Sequence, residues 1–304
     1  MITARPPARA FRRAVIVGVG LLGGSLGMAL KNRRLADRVV GLVRRRVTIA
    51  PARNRGAVDE ARLDPRAALA GADLVVFATP LARTPALIAE LAGFIPPGAL
   101  VTDVGSAKTA FLAELRRRLP APAFAFASSH PMAGAEQGGV GAARADLFEG
   151  SRCLLIREAQ TPGGALRRLR RLWRAVGCRR VVELAPKVHD RWVAHVSHLP
   201  HVVAAALSRV LADRARREPG MPAIAGGGLR DTTRIAAAPP ELWVEILGAN
   251  RRELLPAVAG LRRALAEFET RLRRGNDASL RAALKDAAAF RRALEVRFRE
   301  HPSC

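Results

Sequence analysis

The stretch from Ala14 to Lys31, AVIVGVGLLGGSLGMALK, limits what this chain can fold into more than any other. An apolar run, Ala14 to Val17, leads into Gly18, Gly20 and Gly23, which form G-x-G-x-x-G, and an apolar segment able to wind as a helix follows. This order is expected where a first β-strand turns into a first helix around the pyrophosphate of a dinucleotide. Gly18 permits the tight turn, Gly20 keeps side-chain atoms away from the phosphates, and Gly23 lets helix and strand pack closely. The backbone N–H groups at the helix start, around Leu21 and Leu22, then face the anion with the positive end of the helix dipole. The expected cofactor-binding set here is Gly18, Gly20, Leu21, Leu22 and Gly23.

A second reading of the same stretch is a signal peptide or membrane span, because Arg9, Arg12 and Arg13 precede a run free of charge from Ala14 to Leu30. The glycines in that run suit neither a signal core nor a spanning helix, the length is marginal, and Lys31, Asn32, Arg33 and Arg34 follow where a small-residue cleavage site would stand. The nucleotide reading is favoured. No other stretch is apolar enough to span a bilayer, so no membrane partner is expected. The chain has 304 residues, enough for two domains or one large one with an ample core. Cys153, Cys178 and Cys304 have no metal-like spacing, which points to a reducing, cytoplasmic setting and to no metal site. The formal net charge of +25 raises nucleic acid or acidic membrane as partners. The charge is nearly all arginine, spread from end to end, with no nucleic-acid motif and little aromatic content for base stacking. A solvated basic surface is the simpler account, and no specific nucleic-acid partner is expected.

Arg38 to Val43 reads as the second strand. A dinucleotide site commonly places an acid at its end to bind the adenosine ribose diol, but here Val43 stands there, followed by Arg44, Arg45 and Arg46. A carboxylate would repel a 2′-phosphate, whereas guanidinium groups bind one. The expected cofactor is therefore NADP, with NAD as the alternative and ordinary surface charge as the plainer reading of the arginines. Val47 to Glu60 reads as a short helix and turn. Asp73 to Ala78 is a continuous apolar strand ending at Thr79-Pro80, a loop expected to border the cofactor. Pro85 to Leu91 reads as helix. The strand Ala99 to Asp103 runs into Val104-Gly105-Ser106-Ala107-Lys108, and the strand Phe124 to Ala127 runs into a loop at Ser128-Ser129-His130-Pro131. Ser151 to Ile156 is a further strand. Gly164 to Val176 is an amphipathic helix whose Arg167, Arg168, Arg170, Arg171 and Arg174 form a solvated face. Arg179 to Leu184 is the last strand. From Pro186 the strand signals stop, and Pro186 to Leu211, Glu241 to Leu272 and Ala278 to Phe298 read as helices. The expected architecture is α/β, with a Rossmann-like dinucleotide-binding domain over residues 1–185 and an all-helical substrate and dimerisation domain over 186–304.

Polar residues gather in DVGSAK (Ser106), SSHPMAGAEQGG (His130, Glu136), SHLPHVV (His198, His201) and GGGLRDTTR (Arg230, Asp231, Arg234). Taken singly each has a bland reading: a structural histidine, a glycine hinge, surface charge. Together, in this order behind a dinucleotide fingerprint, the segments GVGLLGGSLGMALK, TDVGSAK, HPMAGAEQGGVGAARADLFEG, SHLPHVVAAAL and GGGLRDTTRIAAAPPELWVEILGANR resemble the prephenate/arogenate dehydrogenase family of tyrosine biosynthesis. The resemblance spans about residues 13 to 275. It implies oxidative decarboxylation of a cyclohexadienyl acid with hydride passed to NAD(P). It also implies His130 as the base at the ring hydroxyl, with Ser106 hydrogen-bonding the same hydroxyl or the imidazole. Arg234 would hold the carboxylate, and His198 and His201 would line the substrate site, His201 facing the substrate side chain. Glu136, Arg230 and Asp231 would form a gating charge network, and Trp243 would reach in from the neighbouring subunit of a homodimer.

The chain departs from the family pattern at Val43, where members often carry an acid. An appended regulatory domain and a fused mutase are expected to be absent, since the chain ends at Cys304 after its last helix. The alternatives are a dehydrogenase for a 4-amino analogue of prephenate, and a catalytically lapsed basic protein that binds nucleotide or nucleic acid. Prephenate and arogenate, which differ in a keto or amino group on the side chain, are both left open as substrate.

Overall fold

The structure, a computed structural model, describes residues 10–135 and 137–299. By its internal contacts the chain forms two compact units, one ending at Asn250 and the other beginning at Arg251. The change from strands to helices near residue 185 therefore falls inside the first unit.

That unit is built on a six-stranded parallel sheet in the order β3-β2-β1-β4-β5-β6. Its strands are β1 (Phe11–Val17), β2 (Ala36–Leu42), β3 (Glu60–Arg62), β4 (Leu74–Phe77), β5 (Leu100–Asp103) and β6 (Ala125–Phe126). Alternate residues of the central strands feed two separate cores. Ala14, Ile16, Val39, Leu74, Val76 and Leu100 face one side with α1 (Leu21–Asn32) and α6 (Gly163–Ala175). Val15, Val17, Val40, Leu42, Val75, Phe77 and Val101 face the other side with α3 (Pro65–Leu69), α4 (Thr84–Leu91) and α5 (Thr109–Arg118). Burial on both faces explains why these strands read as unbroken apolar runs. The element α2 (Ile49–Asn54) leads to β3, an edge strand hidden in the sequence because its residues Glu-Ala-Arg carry no strand pattern. Parallel pairing with β2, Gly41 opposite Ala61, makes it a strand.

A second sheet holds β7 (Ser129–Pro131), β8 (Arg152–Ile156) and β9 (Arg180–Leu184). The segment expected as a loop at Ser128 to Pro131 is thus mostly strand. It pairs antiparallel with β8, His130 opposite Leu154, a partner far along the chain that no local pattern announces. On α6, Leu166, Leu169 and Trp173 are buried, and Trp173 meets Phe148 edge-on at 5.4 Å. The opposite face is less uniformly solvated than expected. Arg167, Arg171 and Arg174 are exposed, but Arg168 lies over the Phe11 ring and donates to Asp73 O, and Arg170 donates to Val181 O at 3.0 Å and pairs with Glu183.

The expected helix from Pro186 to Leu211 is three segments. Helix α7 (Pro186–Val193) starts at a proline, a wider π turn spans Ala194–His198, and α8 runs over Leu199–Arg217. Pro200 has no N–H for the carbonyl four residues back and its ring crowds that carbonyl, so the helix opens just before it. Helices α9 (Gly227–Thr233) and α10 (Pro240–Ala249) complete the first unit. The expected helix from Glu241 to Leu272 breaks at Asn250. The second unit consists of α11 (Arg251–Arg273) and α12 (Asp277–Arg299).

Candidate active site

The β1–α1 turn has the form its glycines require. Gly18 adopts φ +92°, and a Cβ there would lie 2.6 Å from Ala78 O. A Cβ on Gly23 would lie 2.1 Å from Gly18 O, so only glycine lets the helix pass this close to the turn. A Cβ on Gly20 would meet nothing within 4 Å, and no side chain caps the first turn of α1. Open space in front of uncapped N–H groups of a helix fits a bound pyrophosphate. The Thr79 and Thr84 hydroxyls lie 2.7 Å apart, and Thr84 also donates to Pro80 O, which fixes the β4–α4 loop beside this turn. A cofactor bound here would be held by the α1 N-terminus and flanked by the Thr79-Pro80 loop.

Val43 is buried at the end of β2, and Arg44, Arg45 and Arg46 are exposed. A cavity of about 500 Å³ opens beyond them, with Arg46, Ile49, Arg62, Leu63 and Asp64 in its wall. Arg44 and Arg45 do not line it. Arg62, which sequence reasoning missed, does. Its signal was concealed because β3 was not recognised as a strand. Asp64 is engaged as the N-cap of α3, accepting from the N–H groups of Arg66 and Ala67 at 3.2 and 3.1 Å. Glu60 is shared among Arg13, Arg38 and Arg62, whose charges hold its carboxyl below the ordinary range against the opposing effect of burial.

His130 is buried on β7, and its Nδ1 lies 2.8 Å from Nε2 of His189 on α7. Nδ1 of His189 lies 2.8 Å from Oδ1 of Asp190. The same carboxylate accepts the N–H groups of Lys108 at 2.8 Å and Thr109 at 2.7 Å, at the start of α5. Burial raises the Asp190 pKa, but these hydrogen bonds outweigh it and the carboxyl lies below its ordinary value. An ionised carboxylate only accepts, so His189 Nδ1 carries a proton and donates it. His189 Nε2 then accepts from His130 Nδ1–H, and the lone pair of His130 sits on Nε2. Burial, with the neighbouring His189, Lys108 and His198, drives the His130 pKa well below the usual imidazole value, so the ring is neutral near pH 7. The partner of His130 Nδ1 is thus His189, while Ser106 was expected to bond either the substrate hydroxyl or the imidazole. Ser106 is half-buried on the β5–α5 loop.

Below this pair lies an ion pair closed off from water. Lys108 Nζ donates to Asp103 Oδ2 at 2.7 Å and to Ser129 O at 2.8 Å, with both side chains essentially unexposed. Asp103 also accepts from Gly105 N–H and from the Ser128 hydroxyl. Removing one member of such a pair would cost about 3–5 kcal/mol by stranding the other charge. The pair ties β5, β7 and the Ser106 loop into one rigid floor.

On the far side, Asn250 Nδ2 donates to Asp190 O at 2.8 Å and lies 3.1 Å from His198 Nδ1. Burial lowers the His198 pKa to about 4. Trp243 stacks on His201 with ring centroids 3.5 Å apart and meets His198 edge-on at 6.2 Å. The residue expected from a neighbouring subunit thus packs on its own chain. His201 Nδ1 is buried with no hydrogen-bond partner among the described residues. The structure therefore links His130, His198, His201 and Trp243 through His189, Asp190 and Asn250, three residues the sequence reading did not single out. Their only local signal is the histidine–aspartate pair that follows Pro186. Arg230 and Asp231 are exposed and face each other at 3.5 Å, and Arg234 is exposed at the end of α9. Glu136 lies outside the described residues.

A family model described as prephenate dehydrogenase, nucleotide-binding domain, matches residues 26–182, and one described as prephenate dehydrogenase, dimerization domain, matches residues 185–286. The prephenate dehydrogenase of Bacillus subtilis is 31% identical over 284 residues, covering 93% of this chain and 76% of that protein. The cyclohexadienyl dehydrogenase of Zymomonas mobilis is 32% identical over 253 residues, 82% of this chain and 84% of that protein. Among solved structures, prephenate dehydrogenase from A. aeolicus in complex with hydroxyphenyl propionate and NAD+ superposes with a TM-score of 0.84 at 29% identity, over 93% of this chain and 98% of that one. Synechocystis arogenate dehydrogenase superposes with a TM-score of 0.77 at 29% identity, over 93% and 99% of the two chains. With the dinucleotide turn, the buried histidine and both family models in one chain, the protein belongs to the prephenate/arogenate dehydrogenase family, oxidoreductases of tyrosine biosynthesis.

Proposed function

We propose that this chain oxidatively decarboxylates prephenate or arogenate, with His130 as the base and NADP as the preferred acceptor. The observation that supports the base is the direction of the hydrogen-bond chain from Asp190 through His189, which leaves the lone pair of a neutral, buried imidazole on Nε2. A bound nicotinamide supplies the hydride acceptor at C4 of the substrate ring. His130 takes the proton of the C4 hydroxyl, the requirement for that carbon to become a carbonyl as hydride leaves. Loss of CO2 from C1 restores aromaticity and drives the reaction forward. Ser106, beside the Lys108–Asp103 floor, orients the same hydroxyl. Arg234 holds a substrate carboxylate by charge-assisted hydrogen bonds. His201, whose buried Nδ1 has no partner among the described residues, and His198 receive the side chain against Trp243. Glu136, Arg230 and Asp231 control entry.

The NADP preference rests on Val43 in place of an acid and on Arg46 and Arg62 in the wall of the cavity beyond β2. Arg44 and Arg45, exposed after β2, add positive charge before the cavity wall begins at Arg46. We assign residues 1–185 to cofactor binding and 186–304 to substrate binding and dimerisation. A homodimer is supported by the exposed apolar side chains Val196, Val210, Ile224, Leu242 and Val244 on the helical part of the first unit, and by Leu265, Leu284 and Phe290 on the second. Light scattering at micromolar concentration should give twice the chain mass, and a monomer mass rejects the dimer. The buried free thiols Cys153 and Cys178 suit a reducing cytoplasm. Steady-state kinetics with prephenate and arogenate, each with NAD and NADP, test the whole reading: growth of reduced nicotinamide absorbance is the expected result, and no turnover of either substrate overturns it.

A further inference from the structure

We propose that the base is a histidine pair, in which His130 passes the proton's charge to His189 and Asp190 neutralises it there. The inference rests on the reading of His130 as the base. His189 is a positioning residue in the sense that it touches His130 and not the substrate.

The step balances within the relay. The substrate O–H bond breaks and a bond forms from His130 Nε2 to that proton, while the O–H electron pair stays on oxygen to become the carbonyl. The His130 Nδ1–H bond breaks and His189 Nε2–H forms across the 2.8 Å hydrogen bond. His130 ends neutral in its other tautomer, and His189 ends as an imidazolium 2.8 Å from the Asp190 carboxylate. As CO2 leaves, the ring oxygen gains the electron pair and takes a proton back from His130 Nε2, while His189 Nε2–H returns its proton to His130 Nδ1, so both rings regain their resting tautomers. No electron is gained or lost in the relay.

Geometry favours the charge on His189. His130 follows Ser129, whose carbonyl accepts from the Lys108 ammonium closed off from water, and its ring is disfavoured as a cation by burial and by the neighbouring Lys108 and His198. Among the described residues no carboxylate hydrogen-bonds the His130 ring. His189 faces the same Lys108 but has Asp190 in direct contact and Asp103 nearby. Asp190 is itself held ionised by the N–H groups of Lys108 and Thr109 at the positive end of α5, and so serves as counter-ion without taking the proton. At effective protein dielectric a contact ion pair is stronger than one a ring further away, which draws the positive charge toward Asp190.

The test replaces His189 by glutamine. His189→Gln retains an oxygen to accept from His130 Nδ1–H and an N–H to meet Asp190, but it has no site for a proton. The expected result is a fall in kcat of roughly 10- to 100-fold, less than the roughly 10²–10⁴-fold for loss of the base itself, because His130 still takes the proton. The acid limb of the pH profile should also move to lower pH, because the remaining histidine has no contacting carboxylate among the described residues. An unchanged limb with kcat within about twofold of wild type overturns the relay and leaves His189 a spacer. A second measurement covers a variant that fails to fold. In wild-type protein with ¹⁵N-labelled histidine, titrated below the acid limb, the doubly protonated ring should be His189, and finding it at His130 overturns the proposal. His130→Asn separates the two readings. Loss of turnover there with a normal His189→Gln profile ends the relay alone, and retained turnover in His130→Asn ends the base assignment itself.

Discussion

His130 and His189, 59 residues apart in the chain, share a hydrogen bond of 2.8 Å between Nδ1 of one ring and Nε2 of the other. The first lies on a strand of the small second sheet and the second on the helix that follows that sheet's last strand. Asp190 completes the line and, by capping the start of α5, ties it to the floor that carries Ser106. A single carboxylate thereby sets the tautomer of two imidazoles and the position of the loop beside them.

Removing the base tests the chemistry most directly. His130→Asn should leave fold and cofactor affinity intact and lower kcat by roughly 10²–10⁴-fold. Circular dichroism and a dinucleotide binding titration establish the first part, and single-turnover kinetics the second. A kcat near wild type means another group takes the proton.

Arg234 is assigned to the substrate carboxylate. Arg234→Gln removes a charge-assisted interaction of about 1.5–3 kcal/mol, so KM should rise roughly tenfold to a hundredfold. A folded variant with unchanged KM would show that Arg234 is structural.

Cofactor choice should respond unequally to the arginines after β2. Because Arg46 and Arg62 line the cavity, Arg46→Ser with Arg62→Ser should lower kcat/KM for NADP by roughly tenfold to a hundredfold while NAD changes little. Arg44→Ser with Arg45→Ser should do less. Adding Val43→Asp to either pair should turn the preference toward NAD. Wild-type protein that uses NAD at least as well as NADP contradicts the assignment at once.

Acid should weaken the fold through the buried histidines. Burial holds His198 near pKa 4, below the ordinary value of about 6.5, so the unfolded chain binds a proton that the folded chain refuses. Its stabilising contribution is present above about pH 6.5, declines as pH falls, and is fully lost below about pH 4. The depression corresponds to about 3 kcal/mol. Denaturant midpoints followed between those limits should fall, and His198→Asn should flatten the decline. An equal slope in that variant would assign the acid sensitivity elsewhere.

What the sequence alone determined follows from short-range rules. Glycines that no other residue could replace, Gly18 and Gly23, announced the β1–α1 turn, and apolar runs such as Leu74 to Phe77 announced a sheet buried on both faces. The residues of the proposed site on DVGSAK, HPMAGAEQGG and SHLPH were legible through resemblance, because each stands in a long contiguous motif. What only the tertiary structure decided depends on partners distant in the chain. Glu60 to Arg62 became a strand because β2 offered its edge, and His130 left its expected loop because β8 paired with it. The same holds for His189, Asp190 and Asn250. Each is unremarkable by local pattern, and each acquires its role from a hydrogen bond made across the fold: the direction at His189 is set by an ionised carboxylate that can only accept, and that at Asn250 by the main-chain carbonyl of Asp190.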